Sequence, residues 1–492
     1  MVARALSPFL HVILTLYKYY FMGGKGMDRQ TQAPRGKSVP ASLPHPGRRT
    51  KYQRIMLTMV CSLLALIFLA LRLLPSSPLN PEGHPVITSI KPEDYPPAWQ
   101  QVDIQPDSER EAEDAEIELV FTGDLLLHVP ILNQGIAEDG SADFSWLFKH
   151  TQDILQGADL AFGNMEGTLT DGPYFGYPTF SAPKVFAKNL KDAGFDYLTT
   201  VNNHAMDSGI AGVKSTVEAL RSQGLDCVGT RSHPDDPDFL VLDCQGIKLA
   251  LSSFSYETPR VNGLRSLNGA PIPLNQENLL DTFSVQPGPL ENLEADAQKL
   301  RDRVQAMRAE NPDLLIFFMH WGQEYHKQAD QWQEYYAQVL ANEGVDLVIG
   351  GHPHVVQPLV SIPANNDAGQ MICYYSLGNF ISNQQPDTGN SEGRAEEGAM
   401  ARVLVAKSSG RTQIKLADYI PLYMYKTYPG YPLANCTYGW ALPVERALAD
   451  PAKYEAEALI PRLKQALASS ESVMGQKILL PSWDRATIHS TP

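Results

Sequence analysis

One long apolar run dominates the hydrophobic pattern near the start of the chain. Residues 55–74 carry few polar side chains, and a helix of that length spans about 30 Å, the thickness of a bilayer core. Basic residues precede the run at positions 48, 49, 51 and 54, so the positive-inside rule places residues 1–54 in the cytoplasm. We therefore predict a single-pass protein of the cell membrane whose main domain is extracytoplasmic.

A cleaved signal peptide is the alternative interpretation of the same run. The small-x-small motif expected at a cleavage site is missing, because Leu-Leu-Pro-Ser-Ser-Pro closes and follows the apolar residues. We favour the uncleaved anchor for this reason. Residues 75–116 come next and are rich first in proline and then in acidic side chains, a composition typical of an extended, solvated linker.

From residue 117 the pattern changes to that of a folded domain. Short apolar runs alternate with segments of helical periodicity, such as the helix predicted at residues 212–223, which Gly224 ends. This alternation is typical of α/β domains, and we predict one such domain at residues 117–425. The pattern then weakens, and residues 426–492 are predicted to be a polar, helical C-terminal extension.

The composition fits a large domain and argues against one class of partner. Of the 492 residues 43% are hydrophobic, enough for a sizeable core. The formal net charge of −15 argues against binding of nucleic acid, which needs a basic surface. The five cysteines form no C-x-x-C pair, so a thiolate zinc site is not expected, while disulfides and buried thiols both remain open.

Five apolar runs of the predicted domain each end in side chains that can bind metal ions. These side chains are Asp124, Glu166, Asn203 with His204, His320, and His352 with His354. In α/β proteins, bound ligands lie at the carboxyl ends of the strands. We therefore expect these residues to lie close together at that edge of the sheet. Oxygen and nitrogen ligands suit manganese, iron or zinc, and so many ligands suggest two ions rather than one.

Each of these residues also has an ordinary structural explanation. Asp124 could cap a helix, Asn203 could stabilise a turn, Glu166 could be a surface carboxylate, and a histidine after a strand often only forms hydrogen bonds. The metal hypothesis therefore depends on the recurrence at five strand ends. Its most specific element is the pair His352 and His354, because side chains two positions apart in an extended segment share a face.

Six short motifs follow one another along the domain. They are GD at 123–124, GNMEGTLT at 163–170, VNNHAMDSG at 201–209, HWGQEY at 320–325, GGHPHVVQP at 350–358 and YSLGNF at 375–380. In residue type and order they resemble the motifs of the CapA/PgsA capsule-synthesis family, a branch of the calcineurin-like metallophosphoesterase superfamily. The resemblance covers roughly residues 117–420.

The resemblance implies a fold, a cofactor and a set of site residues. The fold is a four-layer α/β/β/α metallophosphatase-like sandwich that holds two divalent metal ions. His204 falls on the position of the catalytic histidine. The metal-ligand positions of the family fall on Asp124, Glu166, Asn203, His320, His352 and His354.

The sequence departs from the broader phosphoesterase pattern at two of these positions. Leu126 stands where that pattern has a histidine, and His128 is the nearest residue that might replace it. Glu166 stands where phosphoesterases carry an aspartate that bridges the metals. Both departures put full phosphatase activity in question.

Several further residues of the motifs are weaker candidates. Asn164, Asp207 and Glu324 are expected to orient the histidines through hydrogen bonds. Asn379 belongs to a family motif, but the sequence assigns it no role.

The resemblance implies a component of poly-γ-glutamate capsule synthesis or export. Its expected partners are an anionic cell-envelope polymer and other membrane proteins of capsule synthesis. One alternative is a metal-dependent phosphoesterase that acts on an envelope phosphate ester, and another is a polymer-binding scaffold without catalysis. The acidic chain gives no long-range attraction to a polyanion, so the residues alone do not choose among the three.

Overall fold

A computed structural model describes residues 115–284, 291–385, 388, 391, 394–427 and 437–480. The predicted cytoplasmic segment, the membrane anchor and nearly all of the linker lie outside these residues. Within the described ranges, no helix combines the length and the apolar character needed to cross a membrane.

Strands and helices alternate along the described residues. In chain order the strands are β1 (Ala115–Leu125), β2 (Leu160–Met165), β3 (Thr168–Thr170), β4 (Ser181–Pro183), β5 (Tyr197–Thr199), β6 (Asp226–Val228), β7 (Leu240–Cys244), β8 (Ile247–Tyr256), β9 (Thr258–Val261), β10 (Leu264–Leu267), β11 (Ala270–Pro271), β12 (Thr282–Phe283), β13 (Leu314–His320), β14 (Leu347–Gly351), β15 (Leu359–Pro363), β16 (Gln370–Tyr374), β17 (Asn379–Ile381), β18 (Glu397–Ser408), β19 (Arg411–Thr427), β20 (Thr437–Pro443) and β21 (Ile478–Leu479). The α-helices are α1 (Val129–Gly135), α2 (Gln152–Gly157), α3 (Val185–Ala193), α4 (Gly209–Ser222), α5 (Glu291–Ala309), α6 (Gln331–Asn342), α7 (Val444–Ala449) and α8 (Ile460–Met474). Short 3-10 helices lie at Ser145–Phe148, Leu274–Leu279, Arg394–Glu396 and Glu457–Leu459.

The larger sheet has nine strands and combines parallel and antiparallel pairs. Its order is β20-β19-β18-β1-β2-β5-β6, with β17 beside β1 and β21 beside β19. Strands β1, β2, β5 and β6 are parallel and are joined through α2, α3 and α4, because a parallel pair needs a crossover connection. Their carboxyl ends consequently lie at the same edge of the sheet.

The second sheet has seven strands and is mostly parallel. Its order is β12-β8-β13-β14-β16-β15, with β7 beside β8. Strands β8, β13, β14 and β16 are parallel, and α6 connects β13 to β14. Here too the carboxyl ends of the central strands share one edge.

Alternating side chains of β1 show how the layers pack. Leu119 and Phe121 meet Leu251 and Ile316 of the seven-stranded sheet, whereas Val120 points to the opposite face, as the two-residue period of a strand requires. Helices α3 and α4 cover that outer face, and α5 and α6 cover the outer face of the other sheet. The α/β prediction is confirmed, with helices outside two facing sheets.

Beyond residue 425 the chain continues the nine-stranded sheet. Strand β19 crosses the predicted domain boundary, and β20 pairs with it in antiparallel fashion. Helices α7 and α8 then pack against β19 through an apolar cluster that includes Tyr423, Leu442 and Leu463. The C-terminal residues therefore contain helices and also a strand that belongs to the main sheet.

Two smaller predictions concern the helix at residues 212–223 and the state of the cysteines. The helix expected at residues 212–223 is α4, which begins three residues earlier and is followed by Gly224 with φ 72°. Cys227, Cys244 and Cys373 are buried, free thiols. Among the described cysteines the structure therefore has buried thiols and no disulfide.

Candidate metal centre

The carboxyl ends of strands from both sheets meet at one place. Asp124 lies one residue before the end of β1, and Glu166 directly follows β2. His320 is the last residue of β13, and His352 and His354 follow β14. All five side chains are buried. The structure thus brings together strand-end residues that are up to 230 positions apart in the chain.

Two groups of possible ligands share one carboxylate. Glu166, His320 and His352 form the first group, and Asp124, Glu166 and His354 form the second. Within each group the donor atoms all lie within 4.8 Å of one another. Oε1 of Glu166 is 3.7 Å from Nε2 of His320 and 3.8 Å from Nε2 of His354. The Glu166 carboxylate is therefore common to two candidate cation positions.

Asn203 brings an oxygen to the first group. Its Oδ1 lies 2.7 Å from Nε2 of His320, so both atoms are near enough to contact the same ion. Tyr256, the last residue of β8, closes this side of the centre. Its ring centroid is 4.6 Å from that of His352 and 6.3 Å from that of His320.

The two histidines after β14 reach the centre by a backbone path that the sequence did not indicate. His352 has φ 95° and His354 has φ 57°, and positive φ is uncommon for residues other than glycine. The prediction of an extended His-Pro-His segment with both rings on one face is therefore wrong. The bends after Gly351 send each ring to a different group instead.

Asn164 and Asn379 hold ligand side chains in position. Nδ2 of Asn164 donates to Oδ1 of Asp124 at 2.8 Å and lies 3.4 Å from Nδ1 of His320. Oδ1 of Asn379 is 3.0 Å from Nδ1 of His354. Because that bond engages Nδ1, the other ring nitrogen is left to face Glu166, an arrangement common around metal-binding histidines.

Burial and neighbouring charges shift the titration of the centre. Burial raises the pKa of Glu166 well above its ordinary range, and the charge of Asp124 raises it further. Burial lowers the pKa of His320 and of His352, and nearby histidines add to the effect. Burial also lowers the pKa of His354, but the Glu166 and Asp124 carboxylates outweigh it and raise that pKa to about 9. A buried carboxylate beside a second carboxylate, as Glu166 is beside Asp124, is stabilised by added positive charge.

The donor atoms have the free valences that a bound cation requires. Glu166 is 0% exposed, and neither of its carboxylate oxygens has a hydrogen-bond partner within the described residues. The same is true of Nδ1 of His352. A buried polar atom without a partner costs about 1–3 kcal/mol, so these atoms need an explanation. Divalent cations would supply one, and the mixed oxygen and nitrogen donors would fit manganese, iron or zinc.

Gly351 lies against the centre, where a Cβ would crowd the Asp124 carboxylate. A Cβ at this position would stand 2.7 Å from Oδ1 of Asp124. The Asp124 carboxylate is held on both sides, since Asn164 donates to Oδ1 and the backbone N–H of His352 donates to Oδ2 at 3.2 Å. The second glycine of the Gly-Gly-His motif thus leaves room for this carboxylate in the position that its hydrogen bonds define.

His204 lies beside the two ligand groups and belongs to neither. Its Nδ1 is 2.7 Å from Oδ2 of Asp207, and its ring packs edge-on against Phe180. The Asp207 carboxylate also accepts a hydrogen bond from Nδ2 of Asn268 at 2.8 Å. Because Asp207 engages Nδ1, Nε2 is the ring atom that remains for other partners.

Two predicted residues do not join the centre. His128 is in neither ligand group, and its Nδ1 accepts the backbone N–H of Asn383 at 3.2 Å. Burial lowers the pKa of His128 to about 3. Glu324 is exposed, and its carboxylate forms no hydrogen bond to the site histidines within the part of the chain described.

Three residues near the centre were missed by the sequence reasoning. Tyr256, Phe180 and Asn268 all lie outside the six motifs. An Asn-Gly pair such as the one at Asn268 signals only a turn, and an aromatic residue beside a strand signals only packing. No feature of the sequence connects them with the histidines.

The fold and the buried carboxylates and imidazoles define an α/β protein with a candidate metal centre. A family model described as "Bacterial capsule synthesis protein PGA_cap" matches residues 118–384, which is more than half of the chain. The chain belongs to this family. The resemblance to CapA/PgsA proteins is thereby confirmed.

Curated relatives agree with the family assignment. Capsule biosynthesis protein CapA of Bacillus anthracis is 27% identical over 283 residues, which are 55% of this chain and 61% of that protein. PGA biosynthesis protein CapA of Bacillus subtilis (strain 168) is 26% identical over 270 residues, which are 54% of this chain and 63% of that protein. The chain therefore aligns with about three fifths of the length of these relatives.

Among solved structures, the calcineurin-like phosphoesterase YfkN from Bacillus subtilis is similar to this chain with a TM-score of 0.35 and 13% sequence identity. The match covers 62% of this chain and 90% of that chain.

Proposed function

We propose that this protein is a hydrolase-type component of capsule-polymer synthesis that holds two divalent cations around Glu166. The observation that carries the proposal is the membership of Glu166 in both ligand groups while its two buried oxygens have no partner in the described chain. A carboxylate shared in this way is what a bridged pair of cations requires.

We assign the side chains to the two proposed positions by the distances between their donor atoms. Glu166, His320 and His352, with the oxygen of Asn203, would hold one cation. Asp124, Glu166 and His354 would hold the other. The second set offers fewer protein donors, which is consistent with Leu126 standing where phosphoesterases have a histidine.

When bound, such a pair of cations supplies positive charge that polarises a phosphoryl group and offsets the charge that develops during its transfer. The protein's own contribution beside it is His204. With Nδ1–H donating to Asp207, the imidazolium form of His204 would carry its second hydrogen on Nε2, oriented to donate to a phosphoryl oxygen or to give that proton to the leaving oxygen. The substrate class proposed is therefore a phosphate ester of the cell envelope.

Metal content of the full-length protein tests the centre directly. We expect two divalent ions per chain by elemental analysis after loading with manganese, and loss of both in Glu166→Gln. The matched control is Glu257→Gln, because Glu257 is also a buried carboxylate but is engaged by Arg265 and Thr282. A Glu166→Gln protein that keeps two ions would contradict the proposal.

Turnover of an aryl phosphodiester tests His204. Loss of a general acid costs about 10²–10⁴-fold in rate, so we expect a drop of that size in His204→Ala with the metal content unchanged. Equal rates in the wild type and the variant would remove His204 from the reaction.

The role in capsule synthesis is supported by the family and by the names of the relatives. The polymer proposed is poly-γ-glutamate, with capsule-synthesis membrane proteins as partners. Deleting the gene in its host should abolish the polymer, and complementation with Glu166→Gln separates two possibilities. Failure to restore the polymer supports a catalytic role, whereas full restoration supports a binding scaffold without turnover.

A membrane-anchored topology completes the proposal. The apolar run at residues 55–74 and the basic residues before it support an anchor with a cytoplasmic N-terminus and an extracytoplasmic main domain. Protease added to intact protoplasts should then digest residues 117–480 and leave residues 1–54 protected. The reverse pattern would overturn this topology.

A further inference from the structure

The small sheet formed by β9, β10 and β11 reaches the candidate site with one side chain. Asn268 lies in the turn between β10 and β11 with φ 46°, a left-handed conformation that asparagine tolerates. Its Nδ2 is 2.8 Å from Oδ1 of Asp207, 2.9 Å from the carbonyl oxygen of Pro178 and 3.2 Å from Nδ1 of His204. One amide thus contacts the loop that carries His204 and Asp207 and the backbone at Pro178, two residues before the Phe180 that packs against the His204 ring.

The number of hydrogens on the Asn268 amide decides which of these contacts are hydrogen bonds. An asparagine NH2 group carries two hydrogens, and the carboxylate of Asp207 and the carbonyl of Pro178 are the two pure acceptors. The remaining neighbour, Nδ1 of His204, is then free to donate to Oδ2 of Asp207 at 2.7 Å. The backbone N–H of Phe180 donates to the same oxygen at 2.5 Å. Each of these three hydrogen bonds to the Asp207 carboxylate, from Asn268, His204 and the N–H of Phe180, is therefore made by a donor.

We propose that Asn268 is a positioning residue for His204. By occupying Oδ1 of Asp207, it fixes the plane of that carboxylate so that Oδ2 faces Nδ1 of the imidazole. The ring is thereby kept in one tautomer and one orientation, with Nε2 toward the substrate. This inference rests on the proposed function only in assuming that His204 acts on the phosphoryl group.

The replacement Asn268→Asp tests the proposal with little change in shape. The side chains have nearly the same size, and aspartate also tolerates a left-handed backbone. The amide donor, however, becomes an acceptor that faces the Asp207 carboxylate. The matched control is Asn262→Asp, since Asn262 lies in the neighbouring turn of the same small sheet with φ 52° and also precedes a glycine.

Kinetics with an aryl phosphodiester give the first readout on the full-length, manganese-loaded protein. We expect kcat to fall about 10–100-fold in Asn268→Asp, the usual effect of losing a residue that orients a functional side chain. KM and metal content should stay near the wild-type values, and Asn262→Asp should behave as the wild type. Asn268→Ala, which removes the donor without adding a charge, should lower kcat in the same direction.

A second readout does not depend on turnover. Solid-state NMR of histidine-labelled full-length protein reports the ring nitrogens of His204, assigned by the signal that His204→Gln lacks. We expect one tautomer with hydrogen on Nδ1 in the wild type and in Asn262→Asp, and a mixture in Asn268→Asp. An unchanged tautomer in Asn268→Asp, or the same loss in Asn262→Asp, overturns the proposal. If no variant turns over substrate but only Asn268→Asp loses the tautomer, the positioning role stands and the proposed phosphoesterase activity fails.

Discussion

Replacing Gly351 by alanine is the most direct way to disturb one of the two proposed cation positions without replacing any of its ligands. The new Cβ would stand 2.7 Å from Oδ1 of Asp124, and real Cβ contacts essentially never fall below 3.0 Å. The carboxylate must therefore retreat by about 0.3 Å or more. The hydrogen bonds from Asn164 and from the N–H of His352 oppose that movement.

The size of this displacement sets the expected loss. Metal–ligand distances are normally kept within about 0.2 Å of their ideal values, so a shift of about 0.3 Å is enough to weaken a ligand. We expect the affinity of the position formed by Asp124, Glu166 and His354 to fall about 10–100-fold, which corresponds to about 1.4–2.7 kcal/mol. The position formed with His320 and His352 should bind within a few-fold of the wild type.

Calorimetric titration of the metal-free protein with manganese measures both affinities. Gly157→Ala is the control, because a Cβ at Gly157 meets no atom within 4 Å and alanine is favoured in a helix by about 0.5–1 kcal/mol. Wild-type affinity at both positions in Gly351→Ala would refute the reasoning that Asp124 is a rigidly held ligand. Equal losses in the two glycine variants would refute the local explanation.

The remaining predictions concern stability and thiol chemistry. Removing the cations with a chelator should lower the free energy of unfolding by about 2.7 kcal/mol for each position, if the free metal concentration before chelation was 100 times the Kd. A urea midpoint that stays unchanged despite the loss of metal would contradict the two proposed positions. Asp281→Ala should lower the free energy of unfolding by about 3–5 kcal/mol in denaturant titrations, because the 7% exposed Asp281 side chain pairs with Arg231 and Arg303. The control Asp238→Ala removes a 64% exposed side chain and should lower it by no more than about 0.5 kcal/mol. The Cys227 thiol, whose pKa burial raises to about 12, should resist alkylation at pH 8 in the native protein and react after unfolding, as mass spectrometry of its peptide can follow.

The strand-end residues could be predicted because they depend on a local rule. Each apolar run is a buried strand of a largely parallel array, and polar residues directly after such strands must lie at the shared carboxyl edge. Asp124, Glu166 and His320 follow from that rule without knowledge of which strands are neighbours. The rule holds for both sheets, so their facing arrangement brings the two sets together.

The other features depend on information that no short segment carries. The bends at His352 and His354 are stabilised by surrounding contacts such as those from Asp124 and Asn379, so the local pattern indicated an extended path instead. Asn268 contacts Asp207 from 61 positions away, and its own neighbourhood predicts only a turn. Strand β20 includes glycine and proline, both of which weaken the signal of a strand.

The division of the ligands between the sheets has a consequence for how the domain opens. Each ligand group takes at least one residue from the nine-stranded sheet and at least one from the seven-stranded sheet. An ion held by either group would therefore link the two sheets to each other. The linked residues are more than 150 positions apart in the sequence, so the ion would act like a crosslink that closes a long loop. Slow amide exchange where the two sheets face each other at the centre should then become faster when the ions are removed.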